Sequence, residues 1–463
     1  MNFRSIAFAA ALILSVFASQ QNGRAAVTPC EIQVVDKENG WPVPLVKLRT
    51  VNNTEFVTDN AGIVAFDLPE LMNREVWLDV RGDGYGVPTD GFGNSGVRLK
   101  MMPGGNQRIE VTRSMIARRL GRLTGSGIFG EVQKLGGEKD WRETGVLGCD
   151  SVQNAVYRGR LHWVWGDTAL PNYPLGIFDG TSAVTATNPL SSFEPPARLR
   201  LDYFTDVKGA PRGIAKMPGP GPTWLTGLVS LPDASGREHL VATYSKIRGH
   251  LQPYQFGLCV WNDATESFEP FKVIWDKASG GKRPLVLDGH AVKWTDSAGK
   301  KWILFCNPFP LARCPATFES WGDTNSWEAL KPQRTLTSAD EHEKIEVHSG
   351  AIAWNPWRRR WVTVFVQNHG KPSILGEVWY AEADTPTGPW GPAVKILSHE
   401  NYTFYNPALH PEFVPDKSPV LLFEGTYSAE FANHPQPTPK YNYNQILYRL
   451  DLDDPRLLPA RGK

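Results

Sequence analysis

From Gly145 onward, short apolar runs alternate with polar residues in a plan that recurs five times. Each copy reads polar residue, short apolar run, turn, longer apolar run, polar residue. The copies are CDSVQNAVYRGRLHWVWGDT from Cys149, WLTGLVSLPDASGREHLVATYSK from Trp224, LDGHAVKWTDSAGKKWILFCN from Leu287, VHSGAIAWNPWRRRWVTVFVQN from Val347 and YNPALHPEFVPDKSPVLLFEG from Tyr405. A third run follows in LGIFDG, FGLCVWND, EVWYAEAD and QILYRLDL, and a fourth in FEPFKVIW and GPAVKIL. Runs this short, bounded by turn residues, predict strands. Four strands repeated five times predict a five-bladed β-propeller over 145–456, in which radial repetition leaves few exposed edges. Two separate sandwiches are the competing architecture.

Before the repeats the pattern is again all-β. EIQVVD, LVKLRTV, TEFVTDNAGIVAFDLP and REVWLDVRGDGY alternate with period two around turn signals, predicting a small antiparallel sandwich over 30–112. In 113–144, RSMIARRLGRL has helical spacing with a basic face and predicts a short connecting helix, and GSGIFGE reads as a flexible junction. Residues 1–26 hold Arg4 and then an apolar run, the pattern of a secretory signal cleaved after Ala18 or Ala25. No later run is long and apolar enough to span a bilayer. An exported protein, periplasmic or extracellular, without stable membrane insertion is expected.

Composition refines this picture. With 463 residues the chain exceeds one ordinary core, and its 43 Gly and 37 Pro suit many turns. A net charge of +1 gives no basis for a nucleic-acid partner. Five cysteines, Cys30, Cys149, Cys259, Cys306 and Cys314, are too few for a disulfide framework, though a Cys306–Cys314 bridge is permitted, and no pair has zinc-site spacing. The Arg358-Arg359-Arg360 run lies in a turn and reads as solvated surface.

The chemistry gathers where hairpin ends meet. In a propeller the first strand of each blade lines the axis, and the second returns antiparallel to the face where the first began. The plan therefore places two polar positions per blade around one rim. Blade one supplies Asp150 and Asp167, and blade two Thr226, Tyr244 and Ser245. Blade three supplies Asp288, His290 and Asn307, blade four Glu346, His348, Gln367 and Asn368, and blade five Asn406 and Glu424. Paired carboxylates are what acetal hydrolysis requires, one donating a proton to the leaving oxygen and the other activating water or attacking carbon. Crowding raises their pKa values. Trp224, Tyr244, Trp321 and Tyr405 are candidates to stack on sugar rings. Asp167, at a strand end, is as readily a turn brace. His410 is a core histidine or, at most, a ligand to a structural cation in the channel; no cofactor is required. No Gly-rich phosphate loop, nucleophile elbow or HExxH motif occurs.

Two resemblances bear on these residues. The D-x-x-x-G-x-P-V-P, T-D-x-x-G and G-Y pattern at Asp36–Pro44, Thr58–Gly62 and Gly84-Tyr85 resembles the transthyretin-like, carboxypeptidase-regulatory-like domains, which implies a spacer or docking role. The repeats resemble five-bladed glycosidases of the arabinanase and xylosidase group, and WVWGDT resembles a second propeller group that includes endo-D-arabinanases. The first resemblance among the propellers implies Asp150 as base or nucleophile, Asp288 as pKa modulator and an acidic residue in blade four. There the aligned position is His348, so Glu346, two residues earlier on the same strand face, is taken as the acid. Asp167, Tyr244, His290, Asn307, His348, Gln367, Asn406 and Glu424 are the expected substrate-binding set. The implied function is hydrolysis of a glycosidic bond in an oligo- or polysaccharide. The alternatives are a non-catalytic carbohydrate- or protein-binding propeller, which the departure at His348 motivates, and a lyase using His and Tyr.

Overall fold

The computed structural model describes residues 27–138, 145–340, 342–432 and 436–462, so the signal-like segment at 1–26 lies outside the described residues. The chain is all-β, a small sandwich followed by a propeller. The sandwich stacks two four-stranded sheets. One contains Ile63–Phe66, Cys30–Asp36, Asn106–Arg113 and Tyr85–Gly86; the other contains Glu55–Val57, Lys47–Thr50, Glu75–Arg81 and Gly96–Lys100. One pairing departs from the antiparallel expectation, since Cys30–Asp36 runs parallel to Asn106–Arg113.

The repeats form five antiparallel sheets in chain order, with first strands Gln153–Tyr157, Thr223–Pro232, His290–Thr295, Lys344–Asn355 and Thr403–Leu409. Five apolar cores fill the spaces between neighbouring sheets. Trp163 and Leu422 pack between blades five and one, Val164 and Leu228 between one and two, and Leu231 and Ile303 between two and three. Leu304 and Ile352 pack between three and four, and Val364 and Phe423 between four and five. Each sheet thus buries both faces, which explains a strand buried along its whole length such as Val420–Ser428.

Closure of the ring corrects the sequence reading. Arg118–Arg122, expected to be helical, is a strand that pairs antiparallel with Asn444–Asp451 as the outermost strand of blade five. The helical spacing was overridden by tertiary pairing. Leu120 is buried in the core between blades five and one, while Arg118 is held by Asp451 and Glu38. The short helix of this segment is instead Gly130–Lys134, whose first turn donates to Asp59 Oδ2 from the amides of Glu131 and Val132. In blade one, LGIFDG is not the third strand. Tyr173–Ile177 belongs to a separate three-stranded sheet with Gly148–Cys149 and Thr168–Leu170, and Thr181–Ala186 takes the third place.

Sandwich and propeller share one core, in which Val46, Val80 and Tyr85 join Tyr402, Tyr441 and Tyr448. Arg119, 1% exposed, crosses this junction. It donates to the carbonyls of Pro44, Leu45 and Asp83 at 3.0, 3.2 and 2.7 Å and to Tyr448 Oη at 3.2 Å. Asn60 and Arg122 exchange two hydrogen bonds of 2.9 Å. A flexible junction is therefore replaced by a fixed one.

Two further expectations change. All five cysteines are free and buried. Cys314 sits opposite Ile303, three residues from Cys306, so the two lie roughly 10 Å apart along the pleat, beyond disulfide reach. Arg358 is buried against Glu382 at 3.0 Å, with Arg360 at 3.4 Å, so only part of that basic turn is solvated. Among the described residues no helix is long and apolar enough to cross a membrane.

Candidate active site

The starts of the five first strands converge on a cavity of about 940 Å³. Asp150, Asp167, Asp288, His290, Asn307, His348 and Asn406 line it, together with Trp224, Tyr405 and Tyr443. With Thr226 and Ser245, which also line it, nine of the residues singled out from the hairpin ends are thus brought together, because antiparallel pairing returns each second strand to the face where the first begins.

Asp150 and Asp167 face each other across the blade-one hairpin. The Gly166 amide donates to the Asp150 carbonyl at 2.8 Å, and the Asp150 amide donates to the Asp167 carbonyl at 3.3 Å. Burial pushes the Asp150 carboxyl up to about 6, against the pull of hydroxyl donors from Tyr405, at 2.9 Å to Oδ2, and Tyr443. Asp167 is pushed up to about 7 by burial first and then by the negative charge of Asp150; Trp224 Nε1 donates to its Oδ1 at 3.1 Å. Two phenol donors favour the ionised form of Asp150, whereas a neighbouring anion favours the protonated form of Asp167. Both carboxyls are raised, and Asp167, besides closing the strand end, lines the cavity.

Gly166 is required here by space. A Cβ on it would stand 2.2 Å from Asp150 Oδ1. Gly166→Ala is expected to displace the Asp150 carboxylate and lower kcat on the order of 10²-fold, since a misplacement of about 1 Å has that effect. Steady-state kinetics beside a thermal melt separates this local effect from a loss of fold.

The other lining groups are held from behind. Thr226 Oγ1 donates to Asp288 Oδ1 at 2.8 Å and accepts from the Gly289 amide at 2.8 Å. The Gly350 amide donates to Asn307 Oδ1 at 3.2 Å, and Asn406 Nδ2 donates to Ser151 Oγ at 2.7 Å. His290 donates to the Pro407 carbonyl, and burial, with the charge of His410, lowers it to about 4, so it is neutral. His348 is also lowered, by burial and then by His369.

Four expected site residues lie elsewhere. Glu346 is exposed outside the cavity wall, where its strand pairs with Thr335–Thr337 and its Oε1 accepts from Asn368 Nδ2 at 3.3 Å. A register shift between Val347 and Gly350 then turns the strand inward, so His348 reaches the cavity and Glu346 does not. Tyr244 is buried, donating to Gln255 Oε1 at 3.1 Å, and Ser245 next to it lines the cavity, an alternation error of one residue. Gln367 accepts from Trp379 Nε1 at 3.0 Å in the body of blade four. Glu424 is buried against His410. Of the aromatic candidates, Trp321 is core, whereas Trp224 and Tyr405 serve the two acids. Tyr443 was missed because it precedes a third strand, and only the ends of first and second strands were followed.

His410 is buried between two carboxylates: its Nε2 meets Glu424 Oε1 at 2.8 Å, and its Nδ1 meets Glu412 Oε1 at 3.1 Å and Asn154 Nδ2 at 3.0 Å. Among the described residues no cluster of His, Cys, Asp or Glu is arranged to hold a metal ion. The two carboxylates outweigh burial and raise His410 to about 9. Because the folded value lies above the unfolded 6.5, this stabilisation is fully present below about 6.5 and is lost as pH rises through about 9, a change of roughly 3 kcal/mol. Urea unfolding of wild type and His410→Gln between these pH values is expected to show the loss in wild type only.

No protein-family model matches the chain, and no curated protein matches it. Solved structures give distant likenesses. An exo-1,5-α-L-arabinanase from a bovine ruminal metagenomic library is 9% identical with a TM-score of 0.38, over 66% of this chain and 94% of that one. An exo-β-1,3-galactanase from Phanerochaete chrysosporium is 9% identical with a TM-score of 0.36, over 66% of this chain and 61% of that one. An N-acetylgalactosamine deacetylase from F. plautii is 9% identical with a TM-score of 0.35, over 67% and 91% respectively. The chemistry is accordingly read from the side chains.

Proposed function

We propose that the chain is an exported glycoside hydrolase in which Asp150 and Asp167 form the reacting carboxylate pair. The observation that carries this reading is a pair of neighbouring carboxyls, joined through their backbones and both raised by burial, at the wall of one large cavity. In the proposed reaction Asp167 gives its proton to the glycosidic oxygen as the C–O bond breaks. Asp150 takes a proton from the water whose oxygen bonds to the anomeric carbon. Asp288, neutral His290, His348, Asn307 and Asn406 bind and orient sugar hydroxyls. This pairing replaces Glu346 as the proposed acid.

The test is product chromatography over a panel of arabinans, xylans, galactans and microbial glycans, run on wild type, Asp150→Asn and Asp167→Asn. Cleavage by wild type alone supports the reading. Binding without cleavage by all three supports a non-catalytic glycan-binding propeller, the reading favoured by the absence of Glu346 from the wall. Export is tested by N-terminal sequencing of the chain recovered outside the cytosol, with loss of a leader near Ala18 or Ala25 expected.

A further inference from the structure

On the same axis, beyond the active-site cavity, lies a second cavity of about 380 Å³. Its wall is formed by the later residues of the same first strands, including Ala291, Lys293 and Trp354, and by the Pro411–Glu412 turn. Gln153 and His290 line both cavities, so the two stand back to back at that level.

Two groups on this wall are left open to a ligand. Glu412 uses one oxygen, Oε1, for Asn154 Nδ2 at 3.2 Å and for His410, while Oε2 has no hydrogen bond among the described residues. Trp354 is 45% exposed at the wall, its ring tilted 65° from that of Trp361 with 6.0 Å between centroids. Lys293 and Glu412 oppose each other in sign, so the wall favours no net charge.

We propose that this reverse-face cavity is a second ligand site that takes one or two neutral sugar units. A sugar stacks on the Trp354 ring, and one of its hydroxyls donates to Glu412 Oε2. Apolar walls with a few convergent polar groups, in a volume of this order, are the ordinary form of a small-ligand site. The site does not depend on turnover in the front cavity.

The experiment is isothermal titration of D-xylose and D-galactose into the full chain as wild type, Trp354→Ala, Ala291→Leu and Trp224→Ala. At least one sugar is expected to bind, with affinity falling at least tenfold in Trp354→Ala and in Ala291→Leu, which fills the cavity, but not in Trp224→Ala. Binding that survives both reverse-face substitutions, or no binding of either sugar at high millimolar concentration, overturns the proposal. Trp354→Ala is expected to leave polymer cleavage unchanged, so a failed hydrolase reading and a failed second site give different results.

Discussion

Asp167→Asn is expected to lower kcat on natural glycans by about 10³-fold, within the range that removing a general acid or base produces. The effect depends on the leaving group. An aryl glycoside with an activated phenol departs without a proton, so Asp167→Asn retains most of its wild-type rate on that substrate. Asp150→Asn is impaired on both, because attack by water still needs its base. The pH profile separates the same roles. Wild-type kcat/KM rises as Asp150 ionises near 6 and falls as Asp167 loses its proton near 7, giving a narrow bell. In Asp167→Asn the falling limb disappears. A variant that keeps both limbs, or an aryl substrate that loses as much rate as the polymer, assigns the proton to another group.

The largest effect on stability is expected at the junction of the two domains. Arg119→Ala leaves the carbonyls of Pro44, Leu45 and Asp83 and the hydroxyl of Tyr448 without their donor in a buried setting. Each buried acceptor left without its donor costs about 1–3 kcal/mol, so a loss of several kcal/mol is expected. Urea unfolding should register that loss, and limited proteolysis should find new cleavage between 113 and 123. Tyr448→Phe keeps the ring but removes the hydroxyl that meets both Arg119 Nε and the buried His399 Nε2, so a loss of about 1–3 kcal/mol is expected. The front cavity is lined by other strands, and kcat of the folded Arg119→Ala chain should match wild type. A variant as stable as wild type would mean that the shared apolar core alone joins the domains.

Physical reasons separate what was legible in the sequence from what was not. The repeat plan and the period-two alternation placed the first two strands of the blades, because a strand that packs on both faces needs an apolar run between turns. The same plan brought Asp150, Asp167, Asp288, His290, Asn307, His348 and Asn406 to one rim, since antiparallel return is a local rule. Arg118–Arg122 was misread because its partner strand, Asn444–Asp451, lies more than three hundred residues away. Local spacing carries no trace of such a pairing.

By itself, then, the sequence determined the all-β class, the order of the sheets and the rim to which the polar residues return, all of which follow from short-range periodicity. The tertiary structure alone decided which carboxylates stand together. A register shift at Val347–Gly350 removes Glu346 from the cavity, an offset of one residue buries Tyr244, and Glu424 is consumed by His410. It also set the proton affinities of Asp150 and Asp167, through burial, each other's charge and donors from blades two and five. Those are through-space quantities, and they exist only once distant strands have closed the ring.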